Sequence, residues 1–243
     1  MNIVEPDLSV VNEHTQEIWG CEVKLPSESE KEPFVNWLFK LEQKMKVLGL
    51  EEDIFVVLVT GCDTSNGHAF LQGRKAVTRI STSNYPSPKS IEVFVTHEVL
   101  HAVHYQNVPA YCFETAEEKN HTGRQLITEG LATYATQTLL EIPESDALWG
   151  GYLPTEEIHS LMKRYEKHLS KTVENILRDW NKTDTTYFYA KDVSDVDSYR
   201  SGYFLGRLII ERIARQHAYS LQDILKLDRN TLDEQVIDEL ARI

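Results

Sequence analysis

Apolar residues recur at helical spacing in the segment from Ser27 to Gly49. Side chains three and four positions apart lie on one face of a helix, so this pattern predicts an amphipathic helix. Ser27 or Ser29 is suited to cap its start, and Gly49 to end it. The predicted buried face comprises Phe34, Trp37, Leu38, Leu41, Met45 and Leu48.

Short runs rich in β-branched residues flank this helix. The segment DIFVVLVTGC (53–62) is apolar and ends near a glycine, which predicts a buried strand. Weak alternation in IWGCEVKL (18–25) favours another strand. The stretch between Gly61 and Pro88 is rich in Gly, Ser, Asn and Pro, and it favours one or two further strands joined by turns.

Helical periodicity dominates the chain after Ser90. The predicted helices cover about 90–106, 123–140, 155–180, 197–217, 220–227 and 231–242. Between the third and fourth of them, the acidic and aromatic residues 181–200 predict a long loop. Because strands come first and helices later, we expect an α+β fold rather than alternating βαβ units. We expect one domain, residues 1–243, with a sheet-containing part (1–107) and a helical part (108–243).

Charge and hydropathy narrow the range of partners. The formal net charge is −13, and no dense cluster of Lys and Arg reverses it locally, so phosphate backbones would be repelled. No apolar run approaches the roughly twenty residues of a membrane span. The first residues lack the basic and apolar regions of a secretory signal. These features predict a cytoplasmic protein that binds neither nucleic acid nor membrane.

The three cysteines are too scattered to define a site. Cys21, Cys62 and Cys112 form no C-x-x-C pair and are odd in number. This pattern argues against a disulfide framework and against a zinc site built on thiolates.

Three histidines interrupt the apolar pattern in VFVTHEVLHAVHYQ (93–106). On a helix, His101 and His104 lie within about 40° of His97, while aliphatic residues occupy the opposite side. Two histidines one turn apart aim their ring nitrogens at a common point, as a tetrahedral Zn²⁺ requires. Glu98 projects about 100° around the helix, so it is placed to reach a water on the metal rather than the metal.

A zinc site on two histidines needs a third protein ligand and, in an enzyme, an open position for water. Glu129 in LITEGLATYATQ (126–137) is our candidate, because periodicity places it on a helix whose other face is mostly apolar. The alternative for Glu129 is a surface glutamate that stabilises a helix start. Other potential ligands are His104, His121, Glu114, Glu117 and Glu118.

The pattern HEVLH followed by TEGLATY resembles the gluzincin group of zincin metallopeptidases. It is similar in particular to small bacterial proteins described as predicted zinc-dependent proteases. The resemblance implies a zincin-like fold in which His97, His101 and Glu129 bind Zn²⁺. It also implies that Glu98 is the general base and then the proton shuttle.

The chain departs from the gluzincin pattern at two places. Between His101 and Glu129 lie 27 residues, more than is common in that group. Thr133 stands where some gluzincins have a carboxylate that orients a metal-bound histidine. The Thr133 hydroxyl or a backbone carbonyl is then expected to accept the free imidazole N–H.

Hydrolysis of a peptide also needs a donor for the developing oxyanion. In zincins a Tyr or His from a later helix often has this role, and Tyr203 in SGYFLGR is our candidate. Tyr199, Arg200 and His217 are the alternatives. The aromatic cluster TYFYA (186–190) is a candidate wall of a substrate cleft.

The predicted function is zinc-dependent hydrolysis of a peptide or protein substrate by an endopeptidase. No G-x-M-E-N-like segment supports exopeptidase action. The alternatives are a zinc hydrolase of a non-peptide amide, a binding or regulatory protein with a structural metal, and a metal-free helical interaction protein. His104 or His121 as a fourth ligand would favour the structural metal. Imidazole and carboxylate also accept Mn²⁺, Fe²⁺ and Co²⁺.

Overall fold

A computed structural model describes most of the chain, namely residues 1–3, 12–13, 22–50, 53–61, 67–83, 85–113, 115–188 and 200–243. The chain divides into two compact units. One consists of residues 1–116 and 150–152, and the other of residues 117–149 and 153–243. The first contains a small sheet and the second is mostly helical, so the predicted α+β class is confirmed. The single domain stays a prediction.

Within the described residues, the sheet of the first unit has four strands in the order β1-β2-β4-β3. They are β1 (Asn2–Ile3), β2 (Ile54–Val59), β3 (Gly67–Gln72) and β4 (Lys75–Ser81). The β1–β2 and β2–β4 pairs are parallel, and β3 forms an antiparallel hairpin with β4. The predicted strand at 53–62 is confirmed, and two more lie between Gly61 and Pro88.

The strand predicted at 18–25 is only partly covered by the described residues. Residues 18–21 lie outside them, and in the remainder Lys24 forms a single antiparallel bridge with Thr60. The two-residue β1 was not predicted, because a strand this short has no measurable periodicity.

Nine α-helices lie within the described ranges. They are α1 (Glu28–Val47), α2 (Pro88–Asn107), α3 (Ala116–Lys119), α4 (Thr122–Leu140), α5 (Glu144–Trp149), α6 (Thr155–Asp179), α7 (Ser201–His217), α8 (Leu221–Leu225) and α9 (Arg229–Leu240). The helix predicted after Ser27 and the six predicted after Ser90 are all found, although residues 197–199 lie outside the described chain. The short helices α3 and α5 were missed. In the described chain, helix α1 lies in sequence between the parallel strands β1 and β2, an arrangement that the sequence did not predict.

Capping side chains fix where α1 and α2 begin. The Ser27 hydroxyl accepts the Glu30 backbone N–H while the Glu30 carboxylate accepts that of Ser27, which confirms Ser27 as the cap. Ser87 and Ser90 exchange the same two bonds at the start of α2, with Pro88 in its first turn. The helix ends at Asn107, before Val108 and Pro109, because a proline disfavours helical backbone angles at the residue that precedes it.

The central strands of the sheet are buried on both faces. One face carries the apolar cluster Val23, Val57, Val59, Phe70 and Val77. The other faces α2, where the Thr78 hydroxyl donates to the Glu98 carbonyl at 3.3 Å. Burial on both sides explains why β2 reads as a continuous apolar run. Packing on this second face holds α2, the helix that carries His97 and His101, against the sheet.

No helix in the described ranges is both long and apolar enough to cross a bilayer.

Candidate metal centre

Helix α2 brings His97 and His101 together. Their Nε2 atoms lie 3.0 Å apart, and the two rings are nearly perpendicular at 84°. Each residue is 5% exposed. The pair therefore aims two imidazole nitrogens at one point, as the spacing of four residues predicts.

Glu129 completes a group of three potential ligands. The ligand atoms of His97, His101 and Glu129 all lie within 4.8 Å of one another. Two imidazole nitrogens and one carboxylate oxygen are a donor set that Zn²⁺ accepts, so the chemistry of the three residues fits this ion. Glu129 is buried on α4, so the alternative of a surface glutamate is wrong. The triad could hold a metal ion, and no fourth ligand joins it among the described residues.

Gly67, at the start of β3, lies directly against Glu98. A Cβ atom added to Gly67 would lie 2.5 Å from Glu98 Cγ and 2.8 Å from the Arg79 carbonyl oxygen. Both distances are shorter than any normal contact. Any side chain at position 67 would therefore displace Glu98 from its observed position. Gly67 lies in the turn-rich stretch between Gly61 and Pro88, where no local pattern indicates this contact.

Two further residues near Glu98 also escaped prediction. Arg79 is 1% exposed, and none of its guanidinium nitrogens has a hydrogen-bond partner among the described residues. Burial lowers the pKa of Arg79, and the negative charge of Glu98 opposes that effect. Burial raises the pKa of Tyr85 well above its usual value, and Glu98 adds to the rise. The available signal was an arginine inside the apolar strand KAVTRIS.

His104 does not join the triad. It is fully buried, with its ring centroid 4.6 Å from that of Tyr111. Neither ring nitrogen has a hydrogen-bond partner in the described chain. Burial, with a smaller contribution from the charge of His101, lowers the pKa of His104 to about 3. The ring packs against the rings of Tyr105 and Tyr111.

The other rival ligands lie outside the triad as well. The His121 Nδ1 atom accepts the Arg124 backbone N–H at 3.4 Å and so caps the start of α4. Glu117 and Glu118 are exposed on α3. Glu114 lies outside the described residues.

Thr133 has a partner within its own helix. Its hydroxyl donates to the Glu129 carbonyl at 2.7 Å. This bond orients the Thr133 side chain along α4, and its role as acceptor for an imidazole stays a prediction.

Tyr203 lies in the first turn of α7 and is 9% exposed. The guanidinium carbon of Arg200 lies 4.2 Å from the Tyr203 ring centroid and 5.2 Å from that of Trp149. Cation–π contacts of this kind fix the position of a ring. The roles of Tyr203 and Arg200 as oxyanion donors stay predictions, and Tyr199 lies outside the described chain.

His217 and the aromatic cluster at 186–190 were the remaining candidates. His217, at the end of α7, stacks on Tyr219 with centroids 5.2 Å apart. Tyr187 and Phe188 are buried, and the Tyr187 hydroxyl donates to Asp179 at 2.8 Å. Residues 189–190 lie outside the described chain. The described part of the cluster therefore packs into the helical unit.

An α+β fold and a buried His-His-Glu triad able to hold a metal ion together define a potential metalloprotein. The family described as "Predicted Zn-dependent protease (DUF2268)" matches residues 62–234, more than half of the chain. The chain belongs to this family. No curated protein and no solved structure matches it. The gluzincin subgroup stays a prediction.

Proposed function

We propose that the protein is a zinc-dependent metallopeptidase, an endopeptidase that cleaves peptide or protein substrates. The observation that carries this proposal is the convergence of His97, His101 and Glu129, with their ligand atoms within 4.8 Å. Two imidazoles and one carboxylate are a donor set of catalytic zinc sites, which keep a further position for water. The family's description as a predicted Zn-dependent protease supports the same function.

The metal contributes the electrophilic chemistry. When bound, Zn²⁺ lowers the pKa of a water molecule from 15.7 to about 7 and polarises the carbonyl of a substrate. The absence of a fourth ligand from the triad, within the described ranges, supports an open position rather than a closed structural site.

Glu98 is the proposed general base and then the proton shuttle. It follows the ligand His97 on the same rigid helix, and the glycine at position 67 leaves room for its side chain. Its carboxylate takes a proton from the attacking water as the oxygen adds to the carbonyl carbon. It then delivers this proton to the leaving nitrogen as the C–N bond breaks, which yields a carboxylate and an amine. Tyr203 is the proposed hydrogen-bond donor to the oxyanion.

The metal site is tested by metal analysis of protein purified without added zinc. We expect about one equivalent of zinc in the wild type and much less in Glu129→Ala, because a site with one ligand removed holds metal poorly. Glu117→Ala, at an exposed glutamate, is the control and should retain the metal. A wild type without metal, or a Glu129→Ala variant with full metal content, would overturn the proposed ligand set.

The catalytic role is tested with a peptide library and mass spectrometry of new termini. The wild type should generate internal cleavages that a chelator abolishes. Glu98→Gln should retain the metal and lose turnover, because the amide cannot accept the proton. Cleavage at the wild-type rate by Glu98→Gln contradicts the role of Glu98. Metal binding without any cleavage by the wild type contradicts the peptidase function itself.

A further inference from the structure

Helices α4 and α7 touch backbone to backbone at one place in the second unit. A Cβ atom added to Gly206 on α7 would lie 2.4 Å from the Leu126 carbonyl oxygen and 2.8 Å from Gly130 Cα. A Cβ added to Gly130 would lie 2.4 Å from the carbonyl carbon of Gly206. The two glycines therefore face each other, and neither side of the contact has a flexible side chain that could move away.

This contact lies beside the candidate metal ligand. Gly130 directly follows Glu129, and the contact with Leu126 lies one turn before it on α4. The backbone of α7 therefore touches α4 on both sides of the position that carries the carboxylate. Nearby, Arg207 of α7 donates to the Gln137 side chain of α4 at 3.0 Å.

We propose that Gly206, together with Gly130, is a positioning residue that fixes how far the Glu129 carboxylate reaches into the metal site. The inference rests on the proposed function, because it assumes that Glu129 is a metal ligand. Gly206 touches no metal itself. It acts through the helix that carries Glu129.

The expected displacement follows from the contact distances. Ordinary contacts begin at 3.4 Å, and an alanine side chain at position 206 would start at 2.4 Å from a backbone oxygen, so α4 and α7 must separate by about 1 Å. Metal–ligand distances tolerate only about 0.2 Å. Loss of a group that supports a ligand typically lowers metal affinity by about 10- to 100-fold, and we expect an effect in this range.

Another glycine of α7 provides a matched control. A Cβ on Gly202, one turn earlier, would lie 2.3 Å from the ring of Phe188. This obstacle is a side chain rather than the α4 backbone. Gly202→Ala therefore introduces the same methyl group into the same helix without a direct clash against the helix that carries Glu129.

The experiment measures Zn²⁺ affinity by competition with a chromophoric chelator, together with the absorption spectrum of the Co²⁺-substituted protein. Thermal unfolding of the metal-free chains is recorded in parallel. We expect Gly206→Ala to bind Zn²⁺ at least about tenfold more weakly and to change the Co²⁺ spectrum. The Zn²⁺ affinity of Gly202→Ala should stay within about threefold of the wild-type value, even if its unfolding temperature falls. Gly130→Ala should behave like Gly206→Ala.

Several results would overturn the inference. Wild-type affinity in Gly206→Ala, or an equal loss in Gly202→Ala, would show that the glycine contact does not set the ligand position. If Gly206→Ala fails to fold, the glycine contact is required for folding, and its proposed role in positioning Glu129 is refuted. If the wild type binds no Zn²⁺, the proposed function fails and this inference fails with it. That result is distinct from a failure confined to the variants.

Discussion

His104 allows a stability prediction that does not depend on activity. The side chain is buried against Tyr111, and burial lowers its pKa from 6.5 to about 3. Between these two pH values the unfolded chain binds more protons than the folded chain, so stability falls as the pH falls. The contribution of neutral His104 is fully present above pH 6.5 and is lost progressively as the pH decreases towards 3.

The magnitude follows from the same values. One pKa unit corresponds to about 1.4 kcal/mol, so a change from about pH 8 to about pH 5 removes roughly 2 kcal/mol through this one side chain. Phenylalanine keeps a ring against Tyr111 and cannot titrate. His104→Phe should therefore lose about 2 kcal/mol less than the wild type over this pH interval, whatever its stability at the higher pH.

Urea unfolding of the metal-free protein, followed by circular dichroism at both pH values, measures this difference. The two chains share every other titratable group, so the difference between them reports on His104. His104→Leu serves as a second variant, in case the larger ring strains the pocket. An equal loss of stability in the wild type and both variants would refute a buried, neutral His104.

Two further substitutions test the surroundings of Glu98. Gly67→Ala forces the Glu98 side chain to move by about 1 Å, so turnover should fall by roughly 100-fold while zinc content stays unchanged. Gly73→Asn, in an open turn with φ +65°, is its control, and unchanged turnover in Gly67→Ala would contradict the contact. Arg79→Met should leave the free energy of unfolding unchanged or raise it by about 1–3 kcal/mol, because it removes a buried charge that lacks hydrogen bonds in the described chain. A loss of about 3–5 kcal/mol in urea unfolding would instead show that Arg79 belongs to a buried ion pair.

Local sequence signals located the secondary structure well. Ser27, one of the two predicted caps, marks the start of α1, and the β-branched run within 53–62 indicated β2, because caps and periodicity act over a few neighbouring residues. The two-residue β1 and the four-residue α3 were missed because they are too short for any periodicity to reveal them. The parallel pairing of β1 with β2 depends on residues about fifty positions apart, which no local pattern encodes.

The candidate site divides in the same way. The sequence by itself determined that His97 and His101 share one helical face beside Glu98, because a helix repeats every 3.6 residues. Only the tertiary structure decided that Glu129, rather than His104 or His121, supplies the third potential ligand. It alone also placed Gly67 against Glu98 and Gly206 against Gly130. The physical reason is that such contacts join segments far apart in the chain, and their distances are set by how helices and strands pack rather than by any local preference.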